Sequence, residues 1–376
     1  PPLKGVEGLL SEIKYPEPLS KGFLRNKYDL SVYRDGTIRF DLTNAPLTHA
    51  TSRMIGTDIE KLKKLGYQYD IDGKELVNEN QIFELFIQDI VISYDSAKTL
   101  LMISNFIDDL LEYTYETDHY YNITEIEELV GHLILGLAPH TSVGVVGRII
   151  GFTTSQVCFA HPYWHSAKRR DCDGDGDSII LLMDTLLNFS SEYLPSKIGG
   201  LMDAPLLLQP IIIPKEVQRQ AKTMDVMSSY TREFYNQTEK HAIPTSLDVG
   251  MKTIGDFTLT NNEKQFTDFH FTHRTSDISL GPERSSYTKI KDINEKIKTQ
   301  LNIAKKINAV DANEVVRSLI NTHLIPDIIG NTRAYLTQTF RCRNISCTIK
   351  QIRRIPISGK CPKCQSELKT TVTKKS

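Results

Sequence analysis

The segment Asp171-Cys172-Asp173-Gly174-Asp175-Gly176-Asp177 carries the densest chemistry in this 376-residue chain. Side chains two apart on an extended backbone point to the same side, so Asp171, Asp173 and Asp175 can converge on one point. Gly174 and Gly176 let the chain turn sharply and remove steric cover. Clustered carboxylates repel unless a cation neutralises them, and hard oxygen ligands favour Mg²⁺, Mn²⁺ or Ca²⁺. A calcium loop starting at Asp171 would have Asp at positions 1, 3, 5 and 7 and Gly at 6, but its second half fails, with Ser178 at position 8 and Leu182 in place of the bidentate Glu at 12. A solvated acidic turn is the bland alternative.

The preceding residues, His161-Pro162-Tyr163-Trp164-His165-Ser166-Ala167-Lys168-Arg169-Arg170, are basic and aromatic and abut the acids. Acids that grip cations beside bases that grip phosphate oxygens suit metal-assisted phosphoryl transfer. Lys168, Arg169 and Arg170 are the candidate contacts to phosphate or nucleic-acid backbone. Alternatively they form a solvated turn that offsets the acids. His161 and His165 read better as structural hydrogen-bonding groups than as catalysts, and Tyr163 and Trp164 as packing residues.

The second chemical cluster is Cys342-x4-Cys347-x13-Cys361-x2-Cys364. Two thiolate pairs joined by a basic, β-rich stretch read as a four-cysteine zinc ribbon, since thiolate softness and tetrahedral geometry favour Zn²⁺. Arg341, Arg343, Lys350, Arg353, Arg354, Lys360 and Lys363 interleave it. They suit contact with duplex phosphates or with an acidic partner equally well.

Several elements must position these groups. Thr37 to Phe40 follows an Asp35-Gly36 turn and reads as a hairpin strand, and Asp72-Gly73 marks a second hairpin. Ile82 to Ile92 reads as strand. Residues 96–118 repeat Leu100, Ile103, Phe106, Ile107 and Leu110 on one helical face. Residues 129–160 are rich in Gly and β-branched types, which suits a compact, sharply turned β-structure. Residues 179–194 read as a buried helix, Leu206 to Ile213 as a strand, and 214–245 and 287–325 as mostly helical. The polar stretch 246–286 between the last two reads as a mobile insertion.

Composition sets the outer bounds. At roughly 150 residues per domain the length suggests two or three domains. Hydrophobic residues at 40% and charged residues at 24% are ordinary for a globular protein and argue against disorder as the main state. No apolar run reaches the ~18 residues that a membrane helix needs, and no basic-then-apolar signal peptide is present. The formal net charge of −1 hides an asymmetry: residues 331–376 hold eleven Lys or Arg and one acid, Glu367, against 34 bases and 45 acids in residues 1–330. A basic tail on an acidic body suggests a partner rich in phosphate or carboxylate.

Asp-x-Asp-Gly-Asp resembles the metal-binding signature of two-barrel polymerases. The run His161-Pro162-Tyr163, Ala167 to Arg170, Cys172 to Asp175, Leu186 to Ser190, Tyr193 to Pro195, Gly199-Gly200 and Met202 to Leu206 resembles the large subunit of archaeal family D DNA polymerase. So do Asp35 to Asp41, Ala45 to His49, Lys61 to Tyr67 and Gly136 to Ser142. The likeness is collinear over nearly the whole chain and weakest in 246–286. It implies an α+β fold: a mixed β/α region over 1–128, a double-psi β-barrel over 129–214 carrying the acidic loop, a mainly helical region over 215–330, and a basic four-cysteine zinc ribbon over 331–376. It further implies that Asp173 and Asp175 bind catalytic Mg²⁺ or Mn²⁺, with Asp171 as a third ligand or supporting group and Asp177 structural. Zn²⁺ would sit on Cys342, Cys347, Cys361 and Cys364, although the x4 spacing departs from the x2 of the family. The implied reaction is DNA-directed DNA synthesis from dNTP on a primer–template. The implied partners are a small proofreading subunit with 3′-5′ exonuclease activity and a sliding clamp, in the cytoplasm near the nucleoid. A second barrel is expected upstream of Pro1, so that this portion alone would be inactive. A non-catalytic nucleic-acid-binding module and an RNA-polymerase-like enzyme are the competing readings.

Overall fold

A computed structural model describes residues 19–33, 35–170, 174, 176–189, 204–217, 220–227, 229–243, 249–259, 265–266, 269–270, 277–280, 283, 290, 292–344, 346–349, 351–353 and 356–371. The chain divides into two compact units, Pro1–Arg284 and Ser285–Ser376.

The first unit is organised by a closed barrel of six strands. In chain order its strands are β1 (Phe40–Pro46), β2 (His49–Thr51), β3 (Ile82–Glu84), β4 (Asp89–Ser93), β5 (Leu133–Leu137), β6 (Val143–Thr153), β7 (Val157–Ala160), β8 (Gly176–Leu181) and β9 (Leu207–Gln209). The barrel order is β4-β7-β1-β8-β5-β6, closed by a parallel β4–β6 pairing, with β9 added beside β6 and β2 paired with β3 outside. The β1–β7 pairing is also parallel, and the remaining barrel pairings are antiparallel.

Strands β1 and β4 come from the region before residue 129, so the barrel spans the boundary that the sequence suggests. The Asp35-Gly36 turn is closed by the Gly36 amide donating to Tyr33 O and the Tyr33 amide donating to Thr37 O, both at 2.9 Å. Asp35 accepts from the Thr37 amide and hydroxyl and pairs with Arg39 at 2.5 Å, and the strand begins only at Phe40. Residues 179–181 are strand, and the expected helix shrinks to Leu182–Asn188. Short apolar runs such as Ile179-Ile180-Leu181 do not distinguish a buried strand from a buried helix, and here pairing with β1 and β5 decides it.

Helix Tyr94–Tyr115 starts at Ser93, whose hydroxyl accepts from the Ser96 amide. Its Leu100, Ile103, Phe106, Ile107 and Leu110 are fully buried with Ile134, Val145, Ile149 and Ile179 of the barrel. Each such side chain contributes about 1.5–3 kcal/mol on burial. Region 246–286 is not wholly apart from the body. Phe269 is fully buried and joins this core, while helix Ile254–Leu259 buries Ile254 in it.

The second unit holds helices Ile293–Lys306, Ala312–Leu319 and Ile325–Thr337, the last running across the expected boundary at 330. It ends in a two-stranded antiparallel ribbon, β10 (Phe340–Cys342) and β11 (Leu368–Thr370). Among the described residues no helix is long and apolar enough to cross a membrane.

Candidate active-site loop and cysteine module

The acidic loop joins a short helix, Pro162–Ala167, to β8. Pro162 fits the first helical turn, and His161 caps it by accepting the Tyr163 amide on Nδ1 at 3.1 Å. The helix is wedged into the barrel. Tyr163, Trp164, His165 and Ser166 are buried; Trp164 Nε1 donates to Val146 O at 3.1 Å and His165 Nε2 donates to Ala45 O at 2.9 Å. The indole lies so close to β5 that a Cβ on Gly136 would fall 2.4 Å from it, so only glycine fits there.

Lys168 follows this helix and turns inward. Its side chain is fully buried, its ammonium forms an ion pair with Asp177 Oδ2, and it lies 3.7 Å from the centroid of the Trp164 ring. His165 Nδ1 is 3.8 Å from the same carboxylate oxygen. Burial works against ionisation of Asp177, but the Lys168 ammonium beside it outweighs this and holds the carboxyl below the usual range. Burial, reinforced by Lys168, pushes the His165 ring down, and burial with neighbouring His165 and His49 pushes His161 down to about 3. Both rings are neutral structural groups at ordinary pH.

Asp171, Asp173 and Asp175 lie outside the described residues; the residues that frame them lie within. Gly174 adopts φ +95° and its amide donates to Asn44 Oδ1 of β1 at 3.0 Å. A Cβ on Gly174 or Gly176 would meet nothing within 4 Å among the described residues. Gly176 pairs with Thr43 and Asp177 with Leu42 across the β1–β8 ladder. One residue further on, Ser178 Oγ donates to Asp41 Oδ1 at 2.5 Å. The strand occupying 176–181 leaves no room for a twelve-residue calcium loop beginning at Asp171. Arg169 is exposed with φ +63°, and Arg170 is half-buried, its amide donating to His165 O at 3.3 Å. Sequence reasoning missed Asn44. Its signal was an amide side chain inside an otherwise apolar-polar strand, a position that strands disfavour.

The sulfurs of Cys342, Cys347, Cys361 and Cys364 all lie within 4.8 Å of one another and could hold a metal ion. The Cys342–Cys364 separation is 3.3 Å and Cys347–Cys361 is 3.8 Å. Tetrahedral Zn–S bonds of about 2.3 Å place sulfurs about 3.8 Å apart, so the donor set fits zinc in both chemistry and size. Donors from Ser366, chiefly its hydroxyl, pull Cys364 down to about 6. The x4 spacing of the first pair is absorbed by a turn in which the Cys347 amide donates to Asn344 O. Cys158, by contrast, is fully buried in the barrel core, and burial pushes its thiol up to about 12.

A family model described as the DNA polymerase II large subunit DP2, catalytic domain, matches residues 1–296. The DNA polymerase II large subunit of Pyrococcus furiosus is 48% identical over 372 residues, which cover 99% of this chain and 29% of the relative. That of Methanothermobacter thermautotrophicus is 47% identical over 378 residues, covering 100% and 34%. That of Cenarchaeum symbiosum is 47% identical over 375 residues, covering 100% and 33%. The chain thus spans only about a third of the length of these archaeal relatives. With the acidic loop framed by the barrel and the match running the length of both units, this chain belongs to the DNA polymerase II large subunit family.

Proposed function

We propose that this chain is the catalytic portion of a family D DNA polymerase large subunit, extending DNA by nucleotidyl transfer. The observation that carries the reading is the double anchorage of the acidic loop. Asn44 holds Gly174 in its middle and the buried Lys168–Asp177 ion pair ties its two ends together. In this reading Asp173 and Asp175, with Asp171 beside them, hold divalent Mg²⁺ or Mn²⁺. These ions, when bound, activate the primer 3′-hydroxyl and neutralise charge at the departing pyrophosphate. The chain's own contribution is positioning. Lys168 acts as a positioning residue for the loop, while Arg169 and Arg170 are the candidate phosphate contacts. The closed barrel with two parallel pairings supports the double-psi type, and the sulfur separations support a zinc ribbon.

The substrates are then a DNA primer–template and dNTPs. The partners are a small proofreading subunit, which brings 3′-5′ exonuclease activity to the complex, and a sliding clamp. The full site takes a second barrel from the remainder of a longer polypeptide, so this portion is expected to be inactive alone. Asp173→Ala or Asp175→Ala in the full assembly should lower primer extension by on the order of 10³-fold or more, since metal-borne charge stabilisation is worth several kcal/mol. Binding of primer–template should persist. Near-normal extension by either variant would leave the loop structural and favour a non-catalytic binding module.

A further inference from the structure

The two-stranded ribbon of the cysteine module carries an electrostatic conflict on one face. Arg341 on β10 stands directly opposite Lys369 on β11. Residues opposite each other in an antiparallel pair share a face with Cβ atoms about 4.5–5.5 Å apart, and like charges placed so repel. Both side chains are exposed, and neither has an ion-pair or hydrogen-bonding partner among the described residues. The alternate residues Phe340, Cys342 and Leu368 turn to the other face, toward the cysteine cluster. The carboxylate of the module is already engaged. Glu367 is the one acid in residues 331–376, and Arg343 holds it at 2.5 Å. Lys360 and Arg353, also exposed, add to the positive field.

We infer that the Arg341/Lys369 face is a docking surface for the phosphodiester backbone of duplex DNA. A phosphate run supplies closely spaced negative charge that can neutralise both cations at once. An acidic protein fits less well, because a protein interface needs a desolvated apolar anchor and this face of the ribbon presents charged groups, Arg341, Lys369 and the Arg343–Glu367 pair. The surface lies far along the chain from the acidic loop, and its role does not depend on that loop being catalytic.

The test is fluorescence anisotropy of the 376-residue chain with a labelled duplex between 50 and 300 mM salt. Arg341→Gln with Lys369→Gln should weaken binding on the order of ten- to hundredfold at low salt. The slope of log K against log salt should shrink by about 2, the share of two phosphate contacts. Metal content and circular dichroism, unchanged in these surface variants, show that the module is still folded. Lys74→Gln with Lys98→Gln removes the same charge from exposed sites of the other unit and should leave the slope unchanged. Equal losses in both pairs, or no loss in the first, overturn the proposal. So does displacement of the duplex by polyglutamate as readily as by unlabelled DNA, which would point to an acidic protein instead. Duplex binding by the 376-residue chain is read without primer extension, so failure of the catalytic reading and failure of this one are separately visible.

Discussion

In the barrel, Lys168 and Asp177 meet with no solvent exposure, beneath Trp164 and between strands contributed by distant parts of the chain. In the cysteine module, Cys347 and Cys361 are the only buried residues described between 339 and 371, and the cationic side chains stand in solvent. The first region holds its polar groups with an apolar core; the second has too little apolar area for a core and gathers instead four cysteines that could hold a metal ion. The contrast teaches that the two sites fail differently. A barrel site is weakened by small changes in packing or pairing. A module held by a metal would be all or nothing in that metal and indifferent to most of its surface.

Three experiments press on that contrast. The largest effect should come from metal removal. Chelation, or Cys361→Ser, should unfold the module, because structural zinc supplies about 10–16 kcal/mol of binding free energy in comparable sites. Trp164 is the one tryptophan of the chain and sits in the barrel, so its fluorescence should not change while proteolysis cuts residues 340–370. Loss of the Trp164 signal on chelation would show that the two units are not independent.

Next is Lys168→Met, which leaves Asp177 buried and unpaired. Removing one partner of a buried pair costs about 3–5 kcal/mol. Urea unfolding followed at Trp164 should show that loss, and Lys168→Met combined with Asp177→Leu should recover most of it. If the single variant costs under about 1 kcal/mol, the pair is no tie for the loop and its behaviour is that of a surface bridge.

The smallest effect is pH-dependent. Burial lifts Asp184 to about 6 although it accepts the Ile38 amide at 2.8 Å and Asn188 Nδ2 at 2.8 Å. Its folded value lies above the unfolded value of about 4, so its contribution is intact below pH 4 and is lost as pH rises through about 6. His161 acts in the opposite sense, losing stability as pH falls below about 6.5. The diagnostic is therefore the difference between wild type and Asp184→Asn. Relative to the variant, wild type should lose on the order of 2–3 kcal/mol between pH 4 and pH 7. Parallel profiles would show that Asp184 does not change protonation on unfolding.

The local chemistry was legible in the sequence because it depends on neighbours in the chain. The four-cysteine cluster, the helix expected over 96–118 and found at Tyr94–Tyr115, the packing of Tyr163 and Trp164 and the structural roles of His161 and His165 follow from spacing and type over a few residues. Tertiary structure decided what non-local pairing controls. It recruited β1 and β4 into the barrel, made strand of Ile179 to Leu181, put Asn44 on Gly174, and turned Lys168 away from solvent toward Asp177. A basic run reads alike whether its lysine meets phosphate or a buried carboxylate. Only the Trp164 roof and the β8 register, set by contacts more than 100 residues away, exclude water from that lysine and fix its partner.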